Sequence, residues 1–189
     1  MQPYTSSHGA DPAGWRKDKH PWRIEVMLGP NMRHLGKRDK RLFGAIKSVT
    51  ELQRLVTDFG RTLGVVVQTF VSDFEGELLE HVYSTAAEAD AYIVDPGGLA
   101  TISQGWPHAL IETRKPVVEV CFYNMLANNE VSMFGGTTIG RVMGMRQYSY
   151  VAALLGLVLA LDDKSFLHPG APASDTVREN GKPYTFRLA

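Results

Sequence analysis

The chain has only one cysteine, no long apolar run and no excess of charge of either sign. Cys121 cannot form a disulfide within the chain, and a thiol without a partner is typical of a reducing compartment. The longest apolar run, Val151 to Leu161, has about eleven residues, whereas a membrane-spanning helix needs roughly twenty. The first twenty residues lack the apolar core of a secretory signal. We therefore expect a cytoplasmic protein that does not bind membranes.

Charge and size narrow the function classes further. Lys and Arg total 20, and Asp and Glu also total 20, so the formal net charge at pH 7 is zero. A balanced charge produces no field that attracts a polyanion, and we expect no nucleic-acid partner. The 189 residues, of which 44% are apolar and 21% charged, suit one globular domain with its own core. We predict neither a cofactor nor a metal site.

Strand-like and helix-like patterns alternate along most of the chain. The strands are short apolar runs, and the helices repeat apolar residues at three- and four-residue spacing. Repeated alternation of this kind predicts an α/β fold, namely a flavodoxin-like, doubly wound, five-stranded parallel sheet in three α/β/α layers. We predict strands at 23–28, 65–71, 92–94, 116–122 and 138–143, and helices at 45–63, 74–89, 102–113 and 147–162. The domain is expected at 22–163, between an N-terminal arm at 1–21 and a C-terminal tail at 164–189.

Polar loops follow the predicted strands at their carboxyl ends, where a doubly wound sheet binds its ligand. The first loop holds Asn31 and Arg38, and this basic segment either binds a carboxylate or phosphate or simply faces solvent. In the second loop, Asp73 is a plausible N-cap for the following helix. The third loop is the turn Asp95-Pro96-Gly97-Gly98, which either cradles an anion or only reverses the chain.

The fourth strand carries Glu119 and Cys121 on the same side, because strand side chains alternate. A buried glutamate is costly without a partner. Pairing with Arg38 would make Glu119 structural, and pairing with a proton donor would make it catalytic, so both roles stay open. A nucleophilic role for Cys121 would require a base and a lowered pKa. No histidine lies in its motif, which favours a small buried thiol.

Several short motifs occur in a fixed order between Ile24 and Leu161. They are Gly29-Pro30-Asn31 with Leu35-Gly36, Ser72 with Glu75-Gly76-Glu77-Leu78, Pro96-Gly97 with Ser103, and Pro116-Val117-Val118-Glu119-Val120 with Asn124. In order and spacing they resemble the type II 3-dehydroquinate dehydratases. The resemblance implies a small-molecule substrate and a homo-oligomer built from trimers, up to a dodecamer. It also implies removal of water from a cyclic β-hydroxy ketone by general acid–base catalysis with an enolate site.

The resemblance also assigns roles by position. Arg38 matches the arginine that activates a tyrosine base. Asn31 matches the asparagine of the enolate site, and Glu119 matches the carboxylate near the leaving hydroxyl. The chain departs from the family at two catalytic positions. Phe43 replaces the tyrosine that acts as the base, and Cys121 replaces the histidine that acts as the acid. Asp95, Thr101 and Tyr123 stand where the family has asparagine, histidine and serine. The predicted catalytic residues are Asn31, Arg38, Glu119 and Cys121, and the predicted substrate-binding residues are Asp95, Gly97, Thr101, Phe122 and Tyr123.

These departures predict little turnover of 3-dehydroquinate, because losing a positioned base typically costs about 10²–10⁴-fold. Three hypotheses follow. The first is a lyase or hydratase for another small polar oxo or hydroxy compound, in which Asp95, Glu119 or Tyr123 transfers the proton. The second is a non-catalytic binding or assembly module. The third is a true dehydroquinase in which Tyr123, Tyr148 or Tyr150 replaces the lost base.

Overall fold

The structure, a computed structural model, describes residues 12–167. Of the predicted arm and tail, only residues 12–21 and 164–167 lie within this range. The strands are β1 (Arg23–Leu28), β2 (Val66–Val71), β3 (Ala91–Asp95), β4 (Val117–Cys121) and β5 (Gly140–Met143). The helices are α1 (Lys40–Phe43), α2 (Val49–Thr62), α3 (Glu75–Thr85), α4 (Gly105–Thr113), α5 (Tyr148–Asp162) and α6 (Lys164–Leu167), together with short 3-10 turns.

The five strands form one parallel sheet in the order β2-β1-β3-β4-β5. This is the flavodoxin order, so the predicted fold class is confirmed. Every residue of β3 and β4 is buried, as expected for central strands covered on both faces. The edge strands β2 and β5 are partly exposed.

Two apolar layers enclose the sheet. On one face, α2 and α5 pack against β1 and β4 through residues such as Leu52, Val56 and Leu154. On the other face, α3 and α4 cover β1 and β3 through Leu78 and Trp106. Within residues 12–167, no helix is long and apolar enough to cross a bilayer. Because β1, β3 and β4 are neighbours in the parallel sheet, their carboxyl ends lie side by side.

All four predicted helices begin later than expected, at 49, 75, 105 and 148 rather than at 45, 74, 102 and 147. The Ser48 hydroxyl accepts a hydrogen bond from the Glu51 N–H at 3.1 Å, so α2 begins at Val49 rather than at 45. The prediction that Asp73 caps α3 is wrong. Phe74 occupies the cap position, and its N–H donates to the Ser72 hydroxyl at 2.9 Å. Asp73 instead belongs to the first loop, as described below.

The segment before β1 is attached to the end of α5. The Arg16 guanidinium donates to both carboxylate oxygens of Asp162, at 2.9 and 2.8 Å, and also to the Leu63 carbonyl at 3.0 Å. The indole N–H of Trp22 donates to the same carboxylate at 2.7 Å. The Asp162 carboxylate and the Arg16 side chain are almost fully buried. This cluster links residues near both ends of the described chain.

Candidate active site

A cavity of about 90 Å³ opens at the carboxyl ends of β1, β3 and β4. It is smaller than the sites that hold drug-sized ligands, so it suits a small molecule. The structure brings most of the predicted site residues together around it. The predicted residues in its lining are Asn31, Arg38, Asp95, Gly97, Cys121, Phe122 and Tyr123.

One wall is formed by the loops after β1 and β3, whose backbones touch. The Gly29 N–H donates to the Asp95 carbonyl at 2.8 Å. A Cβ on Gly29 would lie 2.4 Å from the Pro96 oxygen, and a Cβ on Gly97, at φ +54, would lie 2.3 Å from the Pro30 oxygen. Only glycine fits such an approach. This reciprocal contact gives the Gly-Pro-Asn and Pro-Gly motifs their structural reason.

Asn31 follows this contact in the left-handed conformation, at φ 72, which asparagine tolerates better than most residues. Its backbone N–H donates to the Asp73 carboxylate at 2.9 Å. Asp73 therefore stabilises the first loop from the second, rather than starting α3. Through this bond the Asn31 backbone is fixed at the rim of the cavity.

Arg38 lies on Phe43. The guanidinium carbon is 3.6 Å from the centre of the Phe43 ring, a cation–π arrangement. Burial lowers the pKa of Arg38 and the charge of Asp95 opposes that shift, but a guanidinium remains charged in a protein. Among residues 12–167, no side chain or carbonyl accepts a hydrogen bond from it. Its N–H donors are thus available to an anionic ligand.

None of the three tyrosines considered as a substitute base forms a hydrogen bond with Arg38. Tyr148 is 63% exposed and does not line the cavity. The buried Tyr150 donates its hydroxyl proton to Asp95 at 2.5 Å. Tyr123 lines the cavity and donates to Glu130 at 2.6 Å. Phe43 is therefore the aromatic ring that contacts Arg38, although the hydroxyls of Tyr123 and Tyr150 are close enough to raise the pKa of Arg38.

Asp95 is the buried carboxylic acid of the cavity. One of its oxygens accepts from Tyr150 and the other from the Gly97 N–H at 3.1 Å. Burial raises the pKa of Asp95 to about 6, and the two hydrogen bonds and the charge of Arg38 only partly offset that rise. At pH 7 the carboxylate form predominates. Its proton affinity suits a general base that works near neutral pH.

Two predicted residues lie away from the cavity lining. Glu119 is fully buried beneath it and accepts from the Arg141 guanidinium at 2.6 Å. The suggestion that Arg38 is its partner is therefore wrong, because β5 lies beside β4 and supplies Arg141. Thr101 is exposed and outside the cavity. The 3-10 turn at Gly97–Leu99 brings Ala100 to the cavity wall instead.

Cys121 lines the cavity as a neutral thiol. Burial and, to a smaller extent, the charge of Asp95 raise its pKa to about 12. This supports the interpretation of a small buried thiol over a nucleophile. The sequence did not single out Glu130, which lies in the loop after β4 and whose carboxylate reaches Tyr123. Residues 12–167 contain no group of three or more His, Cys, Asp or Glu side chains placed to hold a metal ion.

Comparison with known proteins agrees with this geometry. The sequence profile described as Dehydroquinase class II matches residues 22–158, most of the chain. The chain belongs to this family. Among curated members of the class II dehydroquinase family, the 3-dehydroquinate dehydratase of Thermotoga maritima is 32% identical over 135 residues, which cover 70% of this chain and 92% of that protein. The enzyme of the same name from Halothermothrix orenii is 28% identical over 147 residues, covering 76% and 99%.

Solved class II dehydroquinases share the fold. The type II dehydroquinase from Propionibacterium acnes superposes with a TM-score of 0.68 at 24% identity, covering 72% of this chain and 95% of that chain. A 3-dehydroquinate dehydratase-like protein from Bifidobacterium longum gives a TM-score of 0.56 at 21% identity, covering 75% and 99%. The activity for which the curated relatives are named is that of a hydro-lyase, so the chain is a dehydratase-like member of the class II dehydroquinase family.

Proposed function

We propose that this protein is a lyase or hydratase that removes a proton and eliminates or adds water on a small polar oxo or hydroxy compound other than 3-dehydroquinate. The observation that carries the proposal is the contact between Arg38 and Phe43, which puts a phenyl ring where the resemblance expects a phenol. The buried carboxyl of Asp95 supplies the missing base on the same cavity.

Each group has a role in this reaction. The Asp95 carboxylate takes the proton from the carbon next to a carbonyl, and the electron pair moves into an enolate. The free N–H donors of Arg38 stabilise the enolate oxygen or a carboxylate of the substrate. The enolate then re-forms the carbonyl and a C=C bond as the C–O bond of the hydroxyl on the next carbon breaks. The proton held by Asp95 passes to that oxygen, which leaves as water. Hydration of the unsaturated product is the same sequence in reverse.

The cavity is poorly matched to 3-dehydroquinate for two reasons. Among residues 12–167, no tyrosine hydroxyl forms a hydrogen bond with Arg38, so the family's base has no counterpart there, a loss of about 10²–10⁴-fold. In addition, Asp95 stands where the resemblance expects a substrate-binding asparagine, and its carboxylate at pH 7 has no N–H to donate to that substrate. Both reasons depend on single side chains, so both are open to mutation.

The first experiment restores the phenol. With 3-dehydroquinate as substrate, formation of the conjugated product is followed by ultraviolet absorbance for the wild-type chain and for Phe43→Tyr. We expect slow wild-type turnover and at least a tenfold increase in the variant. Phe74→Tyr is the matched control, because Phe74 is 68% exposed and outside the cavity. A wild-type kcat near the enzyme median of about 10 s⁻¹ would overturn the proposal.

The second experiment screens a set of candidate substrates for proton abstraction. Small hydroxylated oxo acids and hydroxy ketones are incubated with the wild-type chain in D₂O, and deuterium incorporation next to the carbonyl is followed by NMR. We expect exchange with at least one compound more readily than with 3-dehydroquinate. Failure to exchange any compound of this class would refute the proposed acid–base chemistry.

We also propose an oligomeric state and a cellular compartment, both from the sequence. The resemblance supports a homo-oligomer built from trimers, and the single cysteine supports a cytoplasmic location. Light scattering on the purified full-length chain would test the assembly, and a mass of one 20.9 kDa subunit would contradict it.

A further inference from the structure

A carboxylate of the loop after β4 accepts a hydrogen bond from a tyrosine of the cavity wall. Tyr123 lines the cavity, and its hydroxyl donates to Glu130 at 2.6 Å. The edge of the Tyr123 ring also packs against Phe43, with ring centres 6.2 Å apart. The Tyr123–Glu130 pair therefore lies next to the Arg38–Phe43 contact.

The loop that carries Glu130 is fixed at several points. The Glu130 N–H donates to the Met125 carbonyl at 3.1 Å, and the Met133 N–H donates to the Ala100 carbonyl at 2.7 Å. Met125 and Phe134 are buried beneath the loop. Glu130 is thus held against Tyr123 before any ligand arrives, and no loop rearrangement is needed to make the bond.

The hydrogen bond decides what Tyr123 offers to a ligand. A phenol has one proton and two lone pairs, and here the proton is directed at Glu130. Burial and this bond raise the pKa of Tyr123, so the phenol stays protonated at neutral pH. Toward the cavity the oxygen accordingly presents lone pairs, which accept hydrogen bonds. Arg38 nearby presents only donors.

We propose that the Tyr123–Glu130 pair recognises a hydroxyl group of the substrate as a hydrogen-bond donor, with Glu130 as the positioning residue that sets this preference through Tyr123. The inference names the substrate class of the site proposed above, a compound with an anionic group for Arg38 and a free hydroxyl for Tyr123. A carbonyl in place of that hydroxyl offers only lone pairs and is disfavoured.

The test is a pair of ligands that differ in this group alone. Binding of 4-hydroxycyclohexanecarboxylate and of 4-oxocyclohexanecarboxylate to the full-length chain is measured by titration calorimetry. We expect the wild-type chain to bind the hydroxy acid about tenfold more tightly than the oxo acid, because the ketone cannot donate a hydrogen bond to the partly buried Tyr123 oxygen.

Three variants separate recognition from folding. Tyr123→Phe removes the acceptor and should bring the affinity ratio to about one. Glu130→Ala frees the phenol proton to donate to the ketone and should lower the ratio to one or invert it. Glu130→Gln keeps a side-chain acceptor for the phenol and should retain most of the wild-type ratio. A purely structural role for Glu130 would weaken both ligands equally and leave the ratio unchanged.

Matched controls are available on the surface. Glu112→Ala on α4 and Tyr148→Phe on α5 alter exposed side chains away from the cavity and should keep the wild-type ratio. Equal wild-type affinities, binding of neither ligand, or a ratio that survives both Tyr123→Phe and Glu130→Ala would overturn the inference. Failure of this inference can be told apart from failure of the proposed function. The ratio of affinities can be measured without turnover, and deuterium exchange can occur without a preference between the two ligands.

Discussion

Asp95 and Asp162 are equally well hidden from solvent, at 3% and 7% exposure, yet their pKa values are shifted in opposite directions. Burial raises the pKa of Asp95 to about 6. At Asp162, burial also acts to raise the pKa, but hydrogen bonds from Arg16 and Trp22 and the charge of Arg16 outweigh it, so the pKa is lowered. The partners, rather than the depth of burial, decide the direction.

The difference separates a structural carboxylate from a reactive one. Asp162 has a guanidinium as a bidentate partner, which stabilises its charge and fixes residues 12–22 to α5. Asp95 has neutral partners, a phenol and a backbone N–H, so its charge is only partly compensated. A group whose charge is costly in the folded state takes up a proton readily, as a general base must.

The largest expected effect is on proton transfer at Asp95. Asp95→Asn removes the base and should lower deuterium exchange, into whichever compound the D₂O screen identifies, by about 10²–10⁴-fold. NMR of the exchanging position measures the rate. Asp58→Asn, which alters an exposed residue of α2 that pairs with Arg61, is the control and should leave the rate unchanged. Full exchange in Asp95→Asn would show that another group is the base.

The next effect is on the stability of the Arg16–Asp162 cluster. Arg16→Met leaves the Asp162 carboxylate buried without its charged partner and should lower the free energy of unfolding by about 3–5 kcal/mol. Urea unfolding at pH 7 measures this change. Lys17→Met removes an exposed partner of Asp163 and should have little effect. A loss in Arg16→Met as small as in Lys17→Met would mean that the cluster contributes nothing to the fold.

The smallest effect is the pH dependence of stability. The pKa of Asp95 is about 6 in the folded chain against an ordinary 3.8. The folded state therefore binds the proton more tightly, and Asp95 should reduce stability as pH rises from about 4 to 6, by about 3 kcal/mol in total. Subtracting unfolding free energies of Asp95→Asn from those of the wild-type chain at each pH isolates this contribution.

Asp162 should change the free energy of unfolding with pH in the opposite direction. Because its pKa is lowered in the folded chain, its contribution is fully present above the ordinary pKa of 3.8 and is lost as pH falls through the lower pKa of the folded state. The two aspartates thus act in different pH windows. A difference profile for Asp95→Asn that is flat between pH 4 and 6 would contradict the assignment of a raised pKa to Asp95.

The fold was predictable because it depends on local patterns. Mostly apolar runs at β1 and β4 and the helical spacing in α2 each predict an element. The alternation of such elements then indicates the architecture. The helix starts were less predictable, because a hydroxyl such as Ser48 competes with its neighbours for the capping position.

The site was predictable as a set of loops but not as a set of contacts. Parallel strands place Asn31, Asp95 and Tyr123 at the carboxyl-end edge of the sheet, independently of the contacts that their side chains make. The bonds between Asp95 and Tyr150, 55 residues apart, and between Arg16 and Asp162, 146 residues apart, depend on packing of distant helices. Glu119 shows the same limit, since only the position of β5 reveals that Arg141 is its partner.

The backbone contact between the Gly29 and Gly97 loops has a consequence for how the cavity wall tolerates mutation. Since each glycine sits within 2.4 Å, as measured from an added Cβ, of the opposite loop's carbonyl oxygen, neither loop has room to shift toward the other or to accept a larger residue alone. Together with the Gly29–Asp95 hydrogen bond, the contact joins the two loops where they form the cavity wall. A larger residue at either glycine should therefore displace the wall that both loops form, together with the cavity residues Asn31 and Asp95 that follow and precede the contact.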